Sequence, residues 1–360
     1  MDQISLDEVL VSAVRVTREA PVTFSNLNKD RIAKRNLGQD IPILMNYLPS
    51  VVTTSDAGAG IGYTGIRVRG SDATRVNVTI NGIPYNDAES QGTFWVNMPD
   101  FASSTESLQL QRGVGTSTNG AGAFGASLNI LTDVVSSEAY AELTASAGSF
   151  NTHRATAKFS TGLLGDQFEF SGRLSRIASD GYIDRAASDL DSYFLQGAFV
   201  KEKTLLKALM FGGHEVTYQS WYGFDPDVLS AIGVDNSLET NRRYNIAGIQ
   251  FDRDGNFEGF YDNQVDDYKQ DHFQLHWNQE WTEAFQTNIA LHYTRGRGFF
   301  EEYVDEWYYT NILFAPDAQL SFLGLDNPVI DGEEISTMDY ARRRWLDNDF
   351  YGTVFSGTYR

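Results

Sequence analysis

Apolar and polar residues alternate with a period of two through much of residues 133–360. In residues 271–278, for example, Phe273, Leu275 and Trp277 share one face while polar side chains occupy the other. Because successive side chains of a β-strand point to opposite faces, this period predicts strands. Extended along the chain, the pattern predicts about eight strands, near residues 138–148, 152–162, 166–177, 191–202, 204–216, 270–283, 285–298 and 348–360.

The connections between these predicted strands alternate in length. The turns near 162–165, 203 and 283–284 are tight, whereas the links near 178–190, 217–269 and 299–347 are long. A membrane β-barrel has short turns on one side and long loops on the other, and a compact soluble domain rarely contains long structureless loops. A transmembrane helix is excluded, because no run approaches the roughly 18 apolar residues that it needs. The pattern therefore predicts an antiparallel transmembrane β-barrel in residues 133–360.

Residues 21–132 show a different pattern, in which short apolar stretches are separated by glycines. Asn28 and Asp40 are suited to cap two short helices. Short strands are predicted at residues 21–25 and near residues 75–80, 107–112 and 126–131. The pattern indicates a mixed α/β domain, the head domain, which follows a polar N-terminal segment of residues 1–20.

The size of the head domain limits its relation to the barrel. The interior of an eight-stranded barrel is filled by side chains alone, so a domain of roughly 110 residues requires a much wider barrel if it lies inside. We therefore expect the head domain to lie in the lumen of a barrel whose wall this chain supplies only in part. The first residues lack the basic and apolar regions of a signal peptide. A signal was therefore removed, or the chain is an incomplete copy.

Charge and composition narrow the chemistry further. The chain has a formal net charge of −20 and no cysteine, which disfavours nucleic acid as a partner and excludes disulfides and thiolate metal sites. His272 and His276 share a strand face but stand about 13 Å apart, too far to bind one ion. No nucleophile elbow and no metalloprotease motif is present. We expect no catalytic residues, no metal site, no cofactor and no enzymatic activity.

Several motifs of the head domain resemble the TonB-dependent receptors of the Gram-negative outer membrane. The matching motifs are Ile66-Arg67-Val68-Arg69-Gly70, residues 80–87, Leu110-Gln111-Arg112-Gly113 and residues 120–132. Together they resemble the plug domain of that family, and residues 91–100 resemble its branch of iron-complex receptors. The resemblance implies a barrel of about 22 strands with a plugged lumen, of which only the predicted N-terminal strands are present here.

The resemblance also assigns a role to the N-terminal segment. Asp7-Glu8-Val9-Leu10-Val11-Ser12-Ala13 is similar to the TonB box, which pairs with TonB in the periplasm. An extended, β-prone segment on a tether can add a strand to the edge of a partner's sheet. The implied partners are TonB and the ExbB–ExbD complex that energises it. The alternative is that residues 9–11 form the first strand of the head domain.

Arg69 and Arg112 lie at the ends of predicted strands of the head domain. The resemblance suggests that they lock the head domain to glutamates on the inner face of the barrel, where Glu142 and Glu169 point by strand parity. Arginine suits this role because its guanidinium binds carboxylates bidentately. The simpler interpretation is that both arginines are solvated surface residues.

Three loops of the head domain, residues 54–65, 71–74 and 85–95, are predicted to form the apices that face outward. The side chains there that can contact a ligand are Tyr63, Asp72, Tyr85, Gln91, Phe94 and Trp95. Phe94 and Trp95 can equally pack against the barrel wall.

These features predict an active transporter of the outer membrane. Its expected small-molecule ligand is a ferric siderophore or another iron complex, which is carried rather than held as a cofactor. The same architecture also suits cobalamin, haem or a saccharide, and a surface adhesion or signalling barrel without transport is the alternative from another class. Outer-membrane lipid is a further expected partner, and a surface lipoprotein is a candidate partner.

Overall fold

Two β-sheets organise the described part of the chain. The structure is a computed structural model that describes residues 15–17, 19–115, 120, 122–223, 225–235 and 237–359, without the side chains of residues 238 and 239. A five-stranded sheet forms the centre of the head domain, and an eight-stranded antiparallel sheet, the wall, forms most of the rest. None of the helices in these residues is both long enough and apolar enough to cross a membrane.

The head domain is built from short strands and two short helices. Its strands are β1 (Thr23–Asn28), β2 (Val51–Ser55), β3 (Thr64–Val68), β4 (Val76–Ile80), β5 (Ile83–Pro84), β6 (Thr105–Arg112) and β7 (Ala126–Thr132), and its helices are α1 (Lys29–Ala33) and α2 (Ile41–Leu44). The side chain of Asn28 accepts a hydrogen bond from the backbone of Arg31, as predicted for a helix cap. Asp40 precedes α2 without capping it, because its carboxylate binds Thr64 instead.

The strands of the head-domain sheet lie in the order β1–β6–β7–β4–β5. β4 runs parallel to β7, and the other neighbours are antiparallel. One face of the sheet packs against both helices and forms an apolar core. The residues of this core include Leu27, Ile32, Leu44, Val78, Leu108, Leu128 and Ile130. The opposite face is polar but buried, and there Thr79 donates a hydrogen bond to Asn129 across β4 and β7 at 2.8 Å. The sheet is therefore covered on both sides.

The wall consists of eight strands, and each is antiparallel to its neighbours. They are β8 (Ala139–Ala147), β9 (His153–Thr161), β10 (Phe168–Ser179), β11 (Ser188–Lys201), β12 (Thr204–Tyr218), β15 (Val265–Glu280), β16 (Phe285–Val304) and β19 (Tyr340–Tyr359). Strand length rises along the chain, from nine residues in β8 to 20 residues in both β16 and β19. All eight predicted strands are confirmed.

The last two strands extend further than the hydrophobic pattern predicts. Parts of 299–347 that were predicted to be loop belong to β16 and β19. These extra residues pair through charge, because Arg343 binds Glu301 and Arg342 binds Glu302 across the two strands. Such a ladder does not alternate between apolar and polar residues, so a search for period two overlooks it.

The long connections contain short elements of their own. The loop after β12 holds α3 (Pro226–Ala231), α4 (Leu238–Asn241), β13 (Ile249–Phe251) and β14 (Phe257–Phe260), and the loop after β16 holds α5 (Glu306–Asn311), β17 (Val329–Ile330) and β18 (Glu333–Glu334). Ile249, Phe251 and Tyr308 form a small apolar cluster that joins these two loops. The loops are therefore packed against each other and are not structureless.

The wall has the reverse polarity of a soluble protein. The side chains that face the head domain are largely polar or charged and are buried, and they include Arg154, Thr156, Arg173, Ser192, Lys207 and Gln274. The side chains of the opposite face form an exposed apolar band, which includes Leu143, Phe170, Leu174, Leu195, Phe273, Leu275, Leu291 and Phe355. This arrangement is typical of a transmembrane barrel, which has lipid outside and a polar lumen inside.

Candidate functional site

The head domain lies against the inner face of the wall, and Asp100 makes the central contact. Its carboxylate accepts hydrogen bonds from Thr156 and Ser175, both at 2.7 Å. It also forms ion pairs with Arg154 at 3.0 Å and Arg173 at 3.5 Å, and all three charged side chains are almost fully buried. Burial would raise the pKa of Asp100, but the two arginines and the hydrogen bonds outweigh it, so the pKa is lowered. Asp100 is therefore an ionised anchor.

Asp133, which follows β7, makes a second ionic contact with the wall. Its carboxylate lies 2.6 Å from Lys158 of β9 and 2.9 Å from Lys29 of α1. The ammonium of Lys207 donates to its backbone carbonyl at 2.6 Å. Burial opposes ionisation, but the two neighbouring lysines lower the pKa of Asp133. The chain therefore leaves the head domain through a buried charge cluster.

Close packing complements these charges at Gly213 of β12. An alanine Cβ at this position would lie 2.7 Å from Cδ of Pro99 and 3.0 Å from the carbonyl oxygen of Asn97. The hydroxyl of Ser192 on β11 donates to the carbonyl of Pro99 at 2.7 Å. Residues 97–100 thus rest directly on the wall, where the missing side chain of Gly213 makes room for them.

In the described residues, Arg69 and Arg112 contact the head domain itself and not Glu142 or Glu169, and their lock to the barrel stays a prediction. Arg112 donates to Ser25 at 2.8 Å, and Arg69 donates to Thr23 at 3.5 Å. Both contacts lie on β1, within the head domain. The ion pairs that do join the head domain to the wall have the opposite polarity, with the carboxylate on the head domain and the cation on the wall.

The two glutamates predicted as partners make contacts within the wall. Glu169 faces inward, as strand parity predicts, but it accepts hydrogen bonds from Ser160 at 2.8 Å and Gln196 at 3.0 Å. Glu142 accepts a hydrogen bond from Thr144 of its own strand at 3.0 Å. Neighbouring strands therefore satisfy Glu169, and Glu142 remains an exposed residue of β8.

Tyr63 joins the head domain to the wall on the side of the long loops. Its hydroxyl donates to Asp266 of β15, and its ring packs edge-on against Trp221, with 5.1 Å between the ring centroids. Burial raises the pKa of Tyr63, and the nearby carboxylates of Glu215 and Asp266 raise it further. Tyr63 therefore remains a neutral hydrogen-bond donor.

Asp40 is a carboxylic acid buried close to this contact. Thr64 donates to its Oδ2 atom at 2.8 Å, whereas its buried Oδ1 atom has no hydrogen-bond partner in the described part of the chain. Burial raises the pKa of Asp40 to about 8, against the smaller opposite effect of Thr64. Asp40 is therefore largely protonated at neutral pH. No three histidine, aspartate or glutamate side chains among the described residues are arranged to hold a metal ion.

The raised pKa of Asp40 predicts a pH-dependent stability of the head domain. Between its ordinary value of 3.8 and about 8, the folded state binds one more proton than the unfolded state. Its contribution to the free energy of unfolding therefore falls as pH rises through this window and is constant above it. Asp40→Asn should remove this dependence and raise the free energy of unfolding at pH 9.

Hydrogen exchange of the head domain at pH 5 and pH 9 would measure this effect. Thr64→Val is the companion variant, because it removes the hydrogen bond that lowers the pKa of Asp40 and should move that pKa further upward. An unchanged pH dependence in Asp40→Asn would show that another group is responsible.

A cavity of about 340 Å³ separates the loop after β5 from the last three strands of the wall. The ring of Tyr85 lies 5.2 Å from the ring of His272, and Phe94 also lines the cavity. The carboxylates of Asp87 and Glu89 also line the cavity, whereas those of Asp347 and Asp349 on the edge strand β19 bind Arg295 on the opposite face of the wall. The cavity thus combines aromatic rings with an acidic rim.

The structure places the six predicted ligand residues in different surroundings. Tyr63, Tyr85 and Phe94 lie at the contact regions described above, so their contact with a ligand remains a prediction. Asp72 instead caps the turn Ala73–Arg75 and pairs with Arg75 at 3.0 Å. Gln91 is exposed and donates to the carbonyl of Ala88 within its own loop at 2.8 Å.

The structure corrects the assignment of Trp95 as a ligand contact. Its side chain is 2% exposed and belongs to the apolar core of the head domain. The backbone turns into a 3₁₀ helix at Trp95–Asn97, which directs the indole inward. The predicted TonB box, residues 7–13, lies outside the described residues.

Asp100 and Asp133 were not among the predicted site residues. Asp100 lies in residues 91–100, the stretch that resembles the iron-complex receptors. Its backbone is left-handed, with φ of 53°, which is uncommon for a residue other than glycine. Neither property reveals a partner that is more than 50 residues away. A buried ion pair between distant segments leaves no periodic signal in the sequence.

Comparison with known proteins assigns the head domain to a known domain type. The model of the TonB-dependent receptor plug domain matches residues 16–127. No curated protein matches the sequence significantly. Among solved structures, the ferric-catecholate import receptor Fiu from E. coli K12 is similar with a TM-score of 0.64 and 14% identity, over 94% of this chain and 46% of that receptor.

Two further structures share this fold. The siderophore receptor PirA from Acinetobacter baumannii has a TM-score of 0.56 and 15% identity, over 89% of this chain and 43% of PirA. The copper transporter OprC has a TM-score of 0.61 and 12% identity, over 94% of this chain and 43% of OprC. The chain thus spans less than half of the length of each of these proteins. The chain therefore contains a plug domain of the TonB-dependent receptors, and it shares with the outer-membrane receptors named above a fold in which antiparallel barrel strands, eight in this chain, follow the plug.

Proposed function

We propose that the protein takes up a scarce solute across the outer membrane with energy delivered through TonB. The observation that carries this proposal is a head domain seated on the polar inner face of the wall by the buried contacts of Asp100 and Asp133. A domain held in this position obstructs the lumen. Passage of a solute then requires the head domain to move, and the outer membrane offers no energy source of its own for that movement.

The N-terminal segment provides the connection to an energy source. Residues 7–13 resemble the TonB box, and they precede the first described residues of the head domain. TonB, energised by ExbB–ExbD, would bind this segment by adding it to the edge of a β-sheet. Traction on the segment would then be transmitted to β1 and so to the sheet of the head domain.

The proposed solute is a ferric siderophore or another iron complex. Fiu is described as a ferric-catecholate import receptor and PirA as a siderophore receptor. On the side of the long loops, the ring of Trp221 is partly exposed and packs edge-on against Tyr63, with 5.1 Å between the ring centroids. Its exposed part supports an aromatic chelate as the ligand, because aromatic rings associate in offset-stacked or edge-on arrangements. OprC is described as a copper transporter, so a copper compound is the matching control ligand.

Transport can be tested by altering the backbone of the TonB-box segment. In Val9→Pro the segment loses one N–H group, which strand addition requires, so uptake of a labelled ferric siderophore should fall at least tenfold. Binding of the same ligand at the cell surface should persist. Val9→Thr keeps both the N–H group and a β-branched side chain, so it should transport normally.

The outcomes separate transport from the competing functions. Normal uptake by Val9→Pro would contradict energy coupling through this segment. Surface binding without uptake in the unaltered protein would indicate an adhesion or signalling barrel. Uptake of cobalamin, haem, a saccharide or a copper compound in place of the iron complex would replace the proposed ligand while leaving the transport mechanism intact.

A further inference from the structure

Glu215 of β12 is a buried carboxyl group to which the proposed uptake assigns no role. Its side chain is 1% exposed on the inner face of the wall, and it lies in register between Leu190 of β11 and Tyr268 of β15. The preceding residue, His214, points to the outer face and forms an exposed pair with Asp267 at 2.8 Å. Because the outer face is polar at this level, Glu215 lies beyond the apolar band, on the side of the long loops.

The loop between β2 and β3 of the head domain lies against this part of the wall. At Gly62 the approach is so close that an added Cβ would lie 2.8 Å from Oγ of Ser188. The hydroxyl of the next residue, Tyr63, donates to Asp266, which lies diagonally opposite Glu215 across β12 and β15. Separation of this loop from the wall would therefore open both carboxyl groups to the lumen.

The charged surroundings of Glu215 are acidic. The titratable side chains within electrostatic reach lie on the head domain and on β15, and they are Asp40, Tyr63, Tyr85, Asp266, Asp267 and Tyr268. Within the part of the chain that the structure describes, no lysine, arginine or histidine forms an ion pair with Glu215. Burial raises the pKa of Glu215, and the neighbouring carboxylate of Asp266 raises it further. Glu215 is therefore protonated while the head domain is seated on the wall.

Tyr63 determines where this proton lies. Its hydroxyl donates to Asp266, and a donated hydrogen bond favours the ionised form of a carboxylate. Two neighbouring buried carboxyl groups do not both ionise, so the negative charge on Asp266 places the proton on Glu215. Thr217 donates to Glu215 only at 3.4 Å, which is too long to stabilise a second negative charge. The pair thus holds one proton and one negative charge.

We propose that Glu215 and Asp266 together hold one proton while the head domain is seated and release it when the head domain separates from the wall. After separation, water replaces Gly62 and Tyr63, and both carboxyl groups ionise as they do in solution. The seated state thus binds one proton more than the separated state. The contribution of this proton to seating is complete below about pH 4, where carboxyl groups in water are protonated, and it falls as the pH rises above that value.

The release of a proton matters for uptake only if the head domain moves, as the proposed function requires. Because the pair lies on the side of the long loops, the proton leaves toward the outer medium. Traction through TonB would then need less work in a neutral medium than in an acidic one, since proton release assists the separation.

Residue-resolved hydrogen exchange of the complete receptor, without TonB and without ligand, would test this proposal. The backbone N–H groups of Tyr182 and Ile183, on the turn after β10, donate to the carbonyl of Ala57 in the head domain at 2.8 and 3.2 Å. Exchange of these two reporter amides therefore measures separation from the wall. The N–H group of Asn81 donates to Ile130 within the head domain at 2.9 Å and measures unfolding of that domain instead. Relative to unprotected amides, exchange of the reporter amides should rise about tenfold per pH unit between about pH 5 and 7.

Glu215→Gln keeps the shape of the side chain but has no proton to release. The pH dependence of the reporter amides should therefore fall by about tenfold per pH unit in this variant. Asp266→Asn is the second variant, because without its negative charge Glu215 ionises more readily and the pH dependence should end at a lower pH. Glu169→Gln is the matched control. Glu169 is also 1% exposed on the inner face, but Ser160 and Gln196 of the wall bind it, so its substitution should leave the pH dependence unchanged.

Three results would overturn the proposal. Exchange of the reporter amides could be independent of pH in the unaltered receptor, or it could keep its full pH dependence in Glu215→Gln, which would assign the proton to another group. An equal loss of pH dependence in Glu169→Gln would mean that any inward-facing glutamate has this effect. Val9→Pro should keep the pH dependence while it loses uptake, so a failure of the proton site is distinguishable from a failure of the proposed function. Heat-modified gel migration would confirm that each variant is folded.

Discussion

Asp100→Asn is expected to loosen the head domain from the wall more than any other single change of charge. The substitution removes the carboxylate but leaves Arg154 and Arg173 buried beside it. A buried ion pair that loses one partner costs about 3–5 kcal/mol, because the remaining charge is left without compensation. Hydrogen exchange of residues 95–105 should therefore accelerate strongly in the variant, and this segment should become accessible to proteases.

Asp72→Asn is the matched control for this substitution. Asp72 also pairs with an arginine, Arg75 at 3.0 Å, but both side chains are exposed. Solvent screens such a pair, so protection of the head domain should not change measurably. If the two variants behaved alike, burial would not be what makes the contact of Asp100 strong.

Gly213→Ala is expected to displace residues 97–100 from the wall. The new Cβ atom would lie 2.7 Å from Pro99, and the backbone of Asn97 at 3.0 Å leaves no flexible side chain that could yield. Overpacking of this kind costs about 1–3 kcal/mol. The free energy of unfolding should fall by that amount, and the hydrogen bond from Ser192 to Pro99 should lengthen or break.

Gly197→Ala on the neighbouring strand is the control for Gly213→Ala. Its Cβ would meet only the ring of Phe170 at 3.5 Å, an ordinary contact on the lipid side. Alanine leaves the unfolded chain fewer conformations than glycine does, so the free energy of unfolding of the variant should rise by about 0.4–1 kcal/mol. A loss of stability at both positions would indicate that these strands need glycine for a reason other than the approach of the head domain.

The wall could be predicted from the sequence because its signal is local. Each strand carries its own alternation, so Phe273, Leu275 and Trp277 indicate an outward face without knowledge of any neighbour. The resemblance in residues 66–70 and 110–113 likewise depends on short contiguous motifs. Local signals of this kind were sufficient for the barrel, the head domain and the family.

The contacts between head domain and wall could not be predicted in the same way. Asp100 meets Arg154 and Arg173 only after the wall has folded around it, and nothing near Asp100 in the sequence indicates these partners. Strand parity correctly placed Glu169 on the inner face, but neighbouring strands already satisfy its carboxylate. Parity identifies the face on which a charge lies, and it does not identify the partner.

The unequal lengths of the wall strands give this part of the wall an uneven edge on the side of the long loops. A transmembrane strand needs about 9–11 residues, which β8 just supplies with nine, whereas β16 and β19 each have 20. Followed through the paired residues, Ala147 at the end of β8 is in register with Phe299, so β16 continues five residues further toward the long loops, roughly 17 Å at about 3.3 Å per residue. On the side of the long loops, the wall formed by these eight strands is therefore higher at β16 than at β8, and the loop after β16 begins further from the head domain.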